Sequence, residues 1–69
     1  MKITDAKSFG KAIRAKRKEQ GMTQSEMAAF TGFSVSFISD LENGKPTAEL
    51  ERSIMLANIL GLDIELNSR

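Results

Sequence analysis

Between Thr23 and Lys45 the chain reads TQSEMAAFTGFSVSFISDLENGK, and its apolar positions change phase at Gly32. Ala28 and Gly32 stand one helical turn apart, after which Ile38 and Leu41 restart at helical spacing in a new register. Thr23-Gln24-Ser25-Glu26 is a capping box, so a helix starts at Thr23 and stops at Gly32. Ser34 can cap the next helix, which ends at Asn43-Gly44, where glycine tolerates left-handed backbone. Two short helices joined by a tight glycine-containing turn match the helix-turn-helix unit. Ala28 is small because the second helix crosses over it, and Ile38 and Leu41 anchor that helix against the first, with Phe37 flanking them. The opposite side then faces outward and carries Ser34, Val35, Ser36, Ser39 and Asp40.

The rest of the chain gives this corner a frame. Residues 5–20 contain no proline and end at Gly21, and Phe9 and Ile13 share one face. Lys7, Lys11, Arg14 and Lys18 form a second, basic stripe on the same predicted helix. Lys45-Pro46 is a connector. Thr47 is expected to cap a fourth helix that runs to about Leu60 and stops at Gly61. On that helix Leu50, Ile54 and Ala57 are expected to face inward, while Met55, Leu56, Ile59 and Leu60 widen the apolar surface. No linker or repeat divides the chain, so residues 1–69 read as a single all-α domain.

A chain of 69 residues buries little. Domains of this size bury only about 60% of the surface their unfolded chains expose, and such a core seldom supplies more than ~3–5 kcal/mol. Cysteine and histidine are both absent, which removes disulfides, thiolate sites, the commonest metal ligand and the commonest general base. Association with a second copy is the staple left. No apolar run approaches the ~20 residues of a membrane span and no signal-peptide pattern opens the chain, so a cytoplasmic location is expected.

Charge is unevenly placed. Residues 1–20 hold seven bases against two acids, a net +5, whereas residues 21–69 hold three bases against seven acids, a net −4. A basic end of this kind suits a polyanion, although a solvated basic helix face gives the same count.

The last segment, Leu62-Asp63-Ile64-Glu65-Leu66, alternates apolar and charged residues with period two, a strand pattern. Nothing else in the chain offers it a partner strand, and an isolated strand leaves its backbone groups unpaired. Pairing with the same segment of a second copy about a twofold axis resolves this. Extended tail or one further helical turn is the alternative. With that strand at 62–66, Met55, Leu56, Ile59, Leu62, Ile64 and Leu66 are the expected dimer interface, since the surplus apolar face of the fourth helix would otherwise be an exposed patch.

Residues 24–43 resemble the Cro/cI-type (XRE) helix-turn-helix: the TQ opener, the Ala28/Gly32 pair, the Ile38/Leu41 anchors and the LENGK ending occur in order and without gaps. With the flanking helices the resemblance spans about residues 5–60. It implies a lambda-repressor-like fold of four to five helices, here with the short C-terminal strand pairing across a homodimer. It also implies a DNA-binding transcriptional repressor that reads a palindromic operator. By position, Gln24 would touch DNA and brace the recognition helix, with Ser34, Val35, Ser36, Ser39 and Asp40 toward bases. Thr23, Ser25, Asn43 and Lys45 would approach phosphates. Arg17 and Glu42 occupy the positions of a partly buried ion pair, and Arg17 would also be oriented toward a phosphate. Asp40 repels phosphates yet can accept from a cytosine amino group; simple solvation is the equal alternative.

Two positions depart from the pattern: Thr31 stands where a larger aliphatic residue is usual, and Phe30 where a polar one is. The recognition face also lacks the glutamines and arginines that make bidentate base contacts, which leaves more of the specificity to DNA shape.

The stretch GKPTAELERSIMLANILGLDIEL, residues 44–66, is similar to the HipB/Y4mF group of antitoxins. That resemblance implies a small dimer that represses its own operon and binds a HipA-like kinase toxin encoded beside it. A stand-alone phage-type repressor is the alternative. An enzyme would have to rest on Ser, Lys or carboxylates. Asp63/Glu65 and Asp40/Glu42 read as solvated pairs without a glycine-rich phosphate loop, so neither catalysis nor a cofactor is expected. A protein-interaction module without a DNA role is told apart by salt dependence.

Overall fold

A computed structural model describes residues 1–69 as four helices in the order α1 (Ala6–Glu19), α2 (Gln24–Thr31), α3 (Val35–Glu42) and α4 (Leu50–Ile59). Three of the four helix starts are fixed by side chains. Asp5 accepts the amide of Ser8 at 2.7 Å, and Ser8 Oγ accepts the amides of Thr4 and Asp5 in return. Thr23 and Glu26 close the expected capping box at 3.0 and 2.8 Å, and Ser34 Oγ accepts the amide of Phe37. Those bonds hold the carboxyls of Asp5 and Glu26 below their ordinary values. The stabilisation is therefore present above the unfolded-state pKa and lost as pH falls through the lower folded value.

The fourth helix departs from expectation at its start. Lys45–Ala48 forms a turn closed by the Ala48 amide on the Lys45 carbonyl at 3.2 Å. Pro46 takes the second position, which its fixed φ favours. Thr47 is consumed by this turn and caps nothing. Glu49 becomes the cap residue, with no side-chain bond, and the helix begins at Leu50. Leu50 consequently lies beyond the edge of the core and is 72% exposed rather than inward.

α3 is the central element, packed against both α1 and α2. The core is Ile13, Met27, Ile38, Leu41, Leu56, Ala57 and Leu60, with Phe9, Met22, Ala28, Phe33, Phe37, Ala48 and Leu62 packed around it. On α4 the buried stripe is Ser53, Leu56, Ala57 and Leu60, the i, i+3, i+4, i+7 pattern. Leu56 is thus fully buried inside its own protomer and is not an interface residue. After Leu60 the amides of Gly61 and Leu62 bond the carbonyls of Asn58 and Ala57, which turns Leu62 back onto the core. Residues 62–69 then carry no regular secondary structure, so the structure has no strands. A ladder needs a second strand, and the chain by itself supplies none.

Two glycines place the helices of the corner. Gly32 sits at φ +83° and closes α2 through its amide on the Ala28 carbonyl, so its role is the corner itself. Gly10 is a different case, because α1 meets the C-terminal end of α3 backbone to backbone. A Cβ there would collide with the Leu41 carbonyl oxygen and lie 2.8 Å from that of Glu42. Gly10→Ala is expected to destabilise the domain by roughly 1–3 kcal/mol or more. Thermal unfolding checks this: an unchanged midpoint would mean that α1 and α3 are not in such contact.

Candidate nucleic-acid interface

The outward surface of the corner is built around a buried polar node. Arg17 on α1 donates from Nε to Glu42 Oε2 at 2.7 Å and from Nη2 to Glu42 Oε1 at 2.9 Å. Its Nη1 donates to the Met22 carbonyl at 2.9 Å, in the loop between α1 and α2. Gln24, the first residue of α2, adds a bond from Nε2 to Glu42 Oε1 at 3.2 Å. Arg17 and Glu42 are each only 8% exposed, and no buried side-chain polar atom is left unpaired. Hydrogen bonding to Glu42 raises the Arg17 pKa further, against the opposing effect of burial. The node thereby fixes α1, the first loop, α2 and α3 relative to one another.

The guanidinium of Arg17 is turned inward, and three of its five N–H groups are engaged in these bonds, so Arg17 acts as a brace. Gln24 is half-buried and shares that bracing role.

With Ile38 and Leu41 buried, the other side of α3 faces solvent. Ser34, Val35, Ser36 and Asp40 are exposed, and Ser39 is partly so. Thr23 and Ser25 are exposed at the start of α2, and Asn43 and Lys45 at the end of α3. Helix N-termini at Gln24 and Val35 present free backbone N–H groups of the kind that receive phosphate. Near the other end of α3, Lys45 Nζ lies 3.4 Å from Asp40 Oδ2, and Asn43 Nδ2 reaches Ser39 Oγ at 3.5 Å.

Two residues of this region were not singled out for it by sequence. Lys7 runs alongside Gly44, where a Cβ would come within 2.9 Å of the Lys7 Cα, so this exposed lysine stands beside the Asn43/Lys45 end. Its membership of the basic stripe was the available signal. Gly10 had none, because close approach of two backbones leaves no mark in spacing. No group of three or more His, Cys, Asp or Glu residues is placed to hold a metal ion, and no helix is long and apolar enough to cross a membrane.

The HTH_3 helix-turn-helix family model matches residues 13–67. The chain is 37% identical over 65 residues to the uncharacterized HTH-type transcriptional regulator y4mF of Sinorhizobium fredii, covering 94% of this chain and 86% of that protein. It is 36% identical over 64 residues to the ImmF control region 10 kDa protein of Bacillus phage phi105, covering 93% and 71% respectively. Among solved structures, HipB in a complex with an O4 20mer superposes with a TM-score of 0.85 at 28% identity, covering 99% of this chain and 96% of that one. HipB in a HipA-HipB-O2-O3 complex gives the same score, identity and coverage. The chain belongs to the helix-turn-helix family of DNA-binding transcriptional regulators.

Glu42→Ala would leave the buried guanidinium of Arg17 without its counter-ion, and loss of one partner from such a pair typically costs ~3–5 kcal/mol. Glu49→Ala removes only an exposed contact to Arg52 at 3.2 Å and should stay within about 0.5 kcal/mol. Equal melting temperatures for the two variants would refute the node.

Proposed function

We propose that the chain is an operator-binding repressor and the HipB-like antitoxin of a toxin–antitoxin operon. In this reading it represses its own promoter as a homodimer and binds a HipA-like kinase toxin. The observation that carries the reading is the outward row of small side chains on α3, held by the Arg17–Glu42–Gln24 node, in a fold that matches HipB of the HipB-O4 20mer complex over nearly its full length. The HipA-HipB complex supports the toxin partner. Ser34, Val35, Ser36 and Ser39 approach base edges. Arg17, through its remaining N–H groups, and Thr23, Ser25, Asn43 and Lys45 approach phosphates, and Lys7 joins them. Residues 1–69 act as one domain whose place is on nucleoid DNA in the cytoplasm.

The dimer in this proposal uses the tail. Met55 and Ile59 are 49% and 43% exposed, and Ile64 and Leu66 are 44% and 99% exposed. Pairing residues 62–66 across a twofold axis would cover these side chains and satisfy the tail's backbone. Two copies of α3 would then enter successive major grooves about 34 Å apart. The similarity to a phage control-region protein favours a second reading, a stand-alone repressor with no toxin. A kinase-like neighbour that copurifies on co-expression supports the antitoxin; a neighbour that does not bind leaves the stand-alone repressor.

Gel shifts with the chain's own promoter test the DNA role, and affinity should fall steeply with salt. Deleting Ile64–Arg69 spares the core contact of Leu62. It should weaken binding to a two-half-site operator while leaving a single half-site unaffected. Equal loss on both duplexes would contradict tail pairing. Substituting Ser36 or Ser39 should change sequence preference, and uniform weakening on every sequence would contradict base contact.

A further inference from the structure

Asp40 stands out because it is the one exposed carboxylate on the outward side of α3. The other acid of α3, Glu42, is spent inside on Arg17. After Glu42 the chain reverses: the Gly44 amide bonds the Leu41 carbonyl and the Lys45 amide bonds the Asp40 carbonyl, both at 3.0 Å. This reversal brings Lys45 back along the last turn of α3, where its ammonium meets Asp40 at 3.4 Å. Both side chains remain about half exposed, at 51% and 52%, so the pair is open to competition from solvent or an incoming phosphate. The negative end of the α3 dipole also favours the ammonium there. Lys7, beside Gly44, is the second cation at this end.

We infer that Asp40 is a specificity-determining residue, acting by holding Lys45 away from phosphates until a base-edge donor occupies the carboxylate. The inference rests on the DNA-binding reading above. On an arbitrary duplex, a phosphate must draw Lys45 off Asp40 and leave a bare carboxylate against the DNA, and both steps oppose binding. On the operator, a cytosine amino group in register with Asp40 donates to the carboxylate and takes the place of the ammonium. Lys45 is then released to the phosphate. The penalty falls on wrong sequences and is offset on the right one, so the ratio of the two affinities rises.

The test uses the full chain and two probes: the tightest duplex it selects from a random pool, and a scrambled duplex of the same composition. Fluorescence anisotropy over a range of salt gives both affinities for wild type, Asp40→Asn, Lys45→Gln and the double variant. Asp40→Asn should tighten the scrambled duplex about two- to fivefold, the range open to an exposed ion pair. It should tighten the selected duplex less, or weaken it, and steepen the salt slope on the scrambled duplex by about one phosphate contact. In the Lys45→Gln background the gain on the scrambled duplex should shrink to the part that comes from removing the carboxylate alone, and the steepening of its salt slope should disappear. Equal gains on both duplexes, or a gain undiminished without Lys45, overturns the role of Asp40 while leaving the DNA-binding reading intact. A wild-type chain that selects no duplex overturns both. Thermal melting of each variant confirms that the exposed substitutions leave the fold unchanged.

Discussion

The bidentate pair of Arg17 and Glu42 is the constraint on which the arrangement of helices depends. It joins residues 25 positions apart in sequence, and its third and fourth bonds recruit the Met22 carbonyl and Gln24. Burying two charges is costly, and well-packed apolar residues of the same volume often stabilise as much or more. What the pair supplies that an apolar contact cannot is direction. A planar guanidinium fixes the carboxylate in its own plane, and with it the last turn of α3. Gly10 lets α1 approach closely enough for the bonds to form, since any side chain there would push the Leu41 and Glu42 carbonyls away. The outward face of α3 is therefore set from behind, by groups that do not themselves face solvent.

The small core explains why so much is delegated to bonds of this kind. Seven apolar residues are buried, while nine large apolar side chains remain exposed. Four of those nine, Met55, Ile59, Ile64 and Leu66, lie on the α4 and tail surface assigned to the proposed dimer. Leu50 instead lines an open groove with Ile3, Phe9 and Pro46. Phe30 stands apart on α2, and the structure gives its exposure no partner within the chain.

Much of this was legible in sequence because it is written locally. The proline-free run ending at Gly21, the Thr23–Glu26 capping box, the Ser34 cap and the stop glycines mark α1, α2 and α3 to within a residue, and helical spacing identifies Ile13, Ile38 and Leu41 as core. The misreadings share a cause: each needed information from outside its own window. Thr47 looks like a cap until the Pro46 turn takes it. Leu56 looks like surplus apolar surface until the late start of α4 defines which stripe is buried. The tail alternates like a strand, yet a strand exists only once a second one lies beside it. The close approach at Gly10 is a property of two backbones and left no trace in either.

In the proposed complex α3 is held rigidly from behind while its outward side chains engage DNA. Chemical-shift mapping with a selected duplex, following the Arg17 Nε–H resonance alongside the amides, tests this arrangement. Shifts are expected to concentrate at Thr23–Ser25, Ser34–Ser36, Ser39 and Asp40, with the Arg17 Nε–H signal slow to exchange both free and bound. Loss of that signal on binding, or the largest shifts falling on Leu50–Ile59, would contradict it.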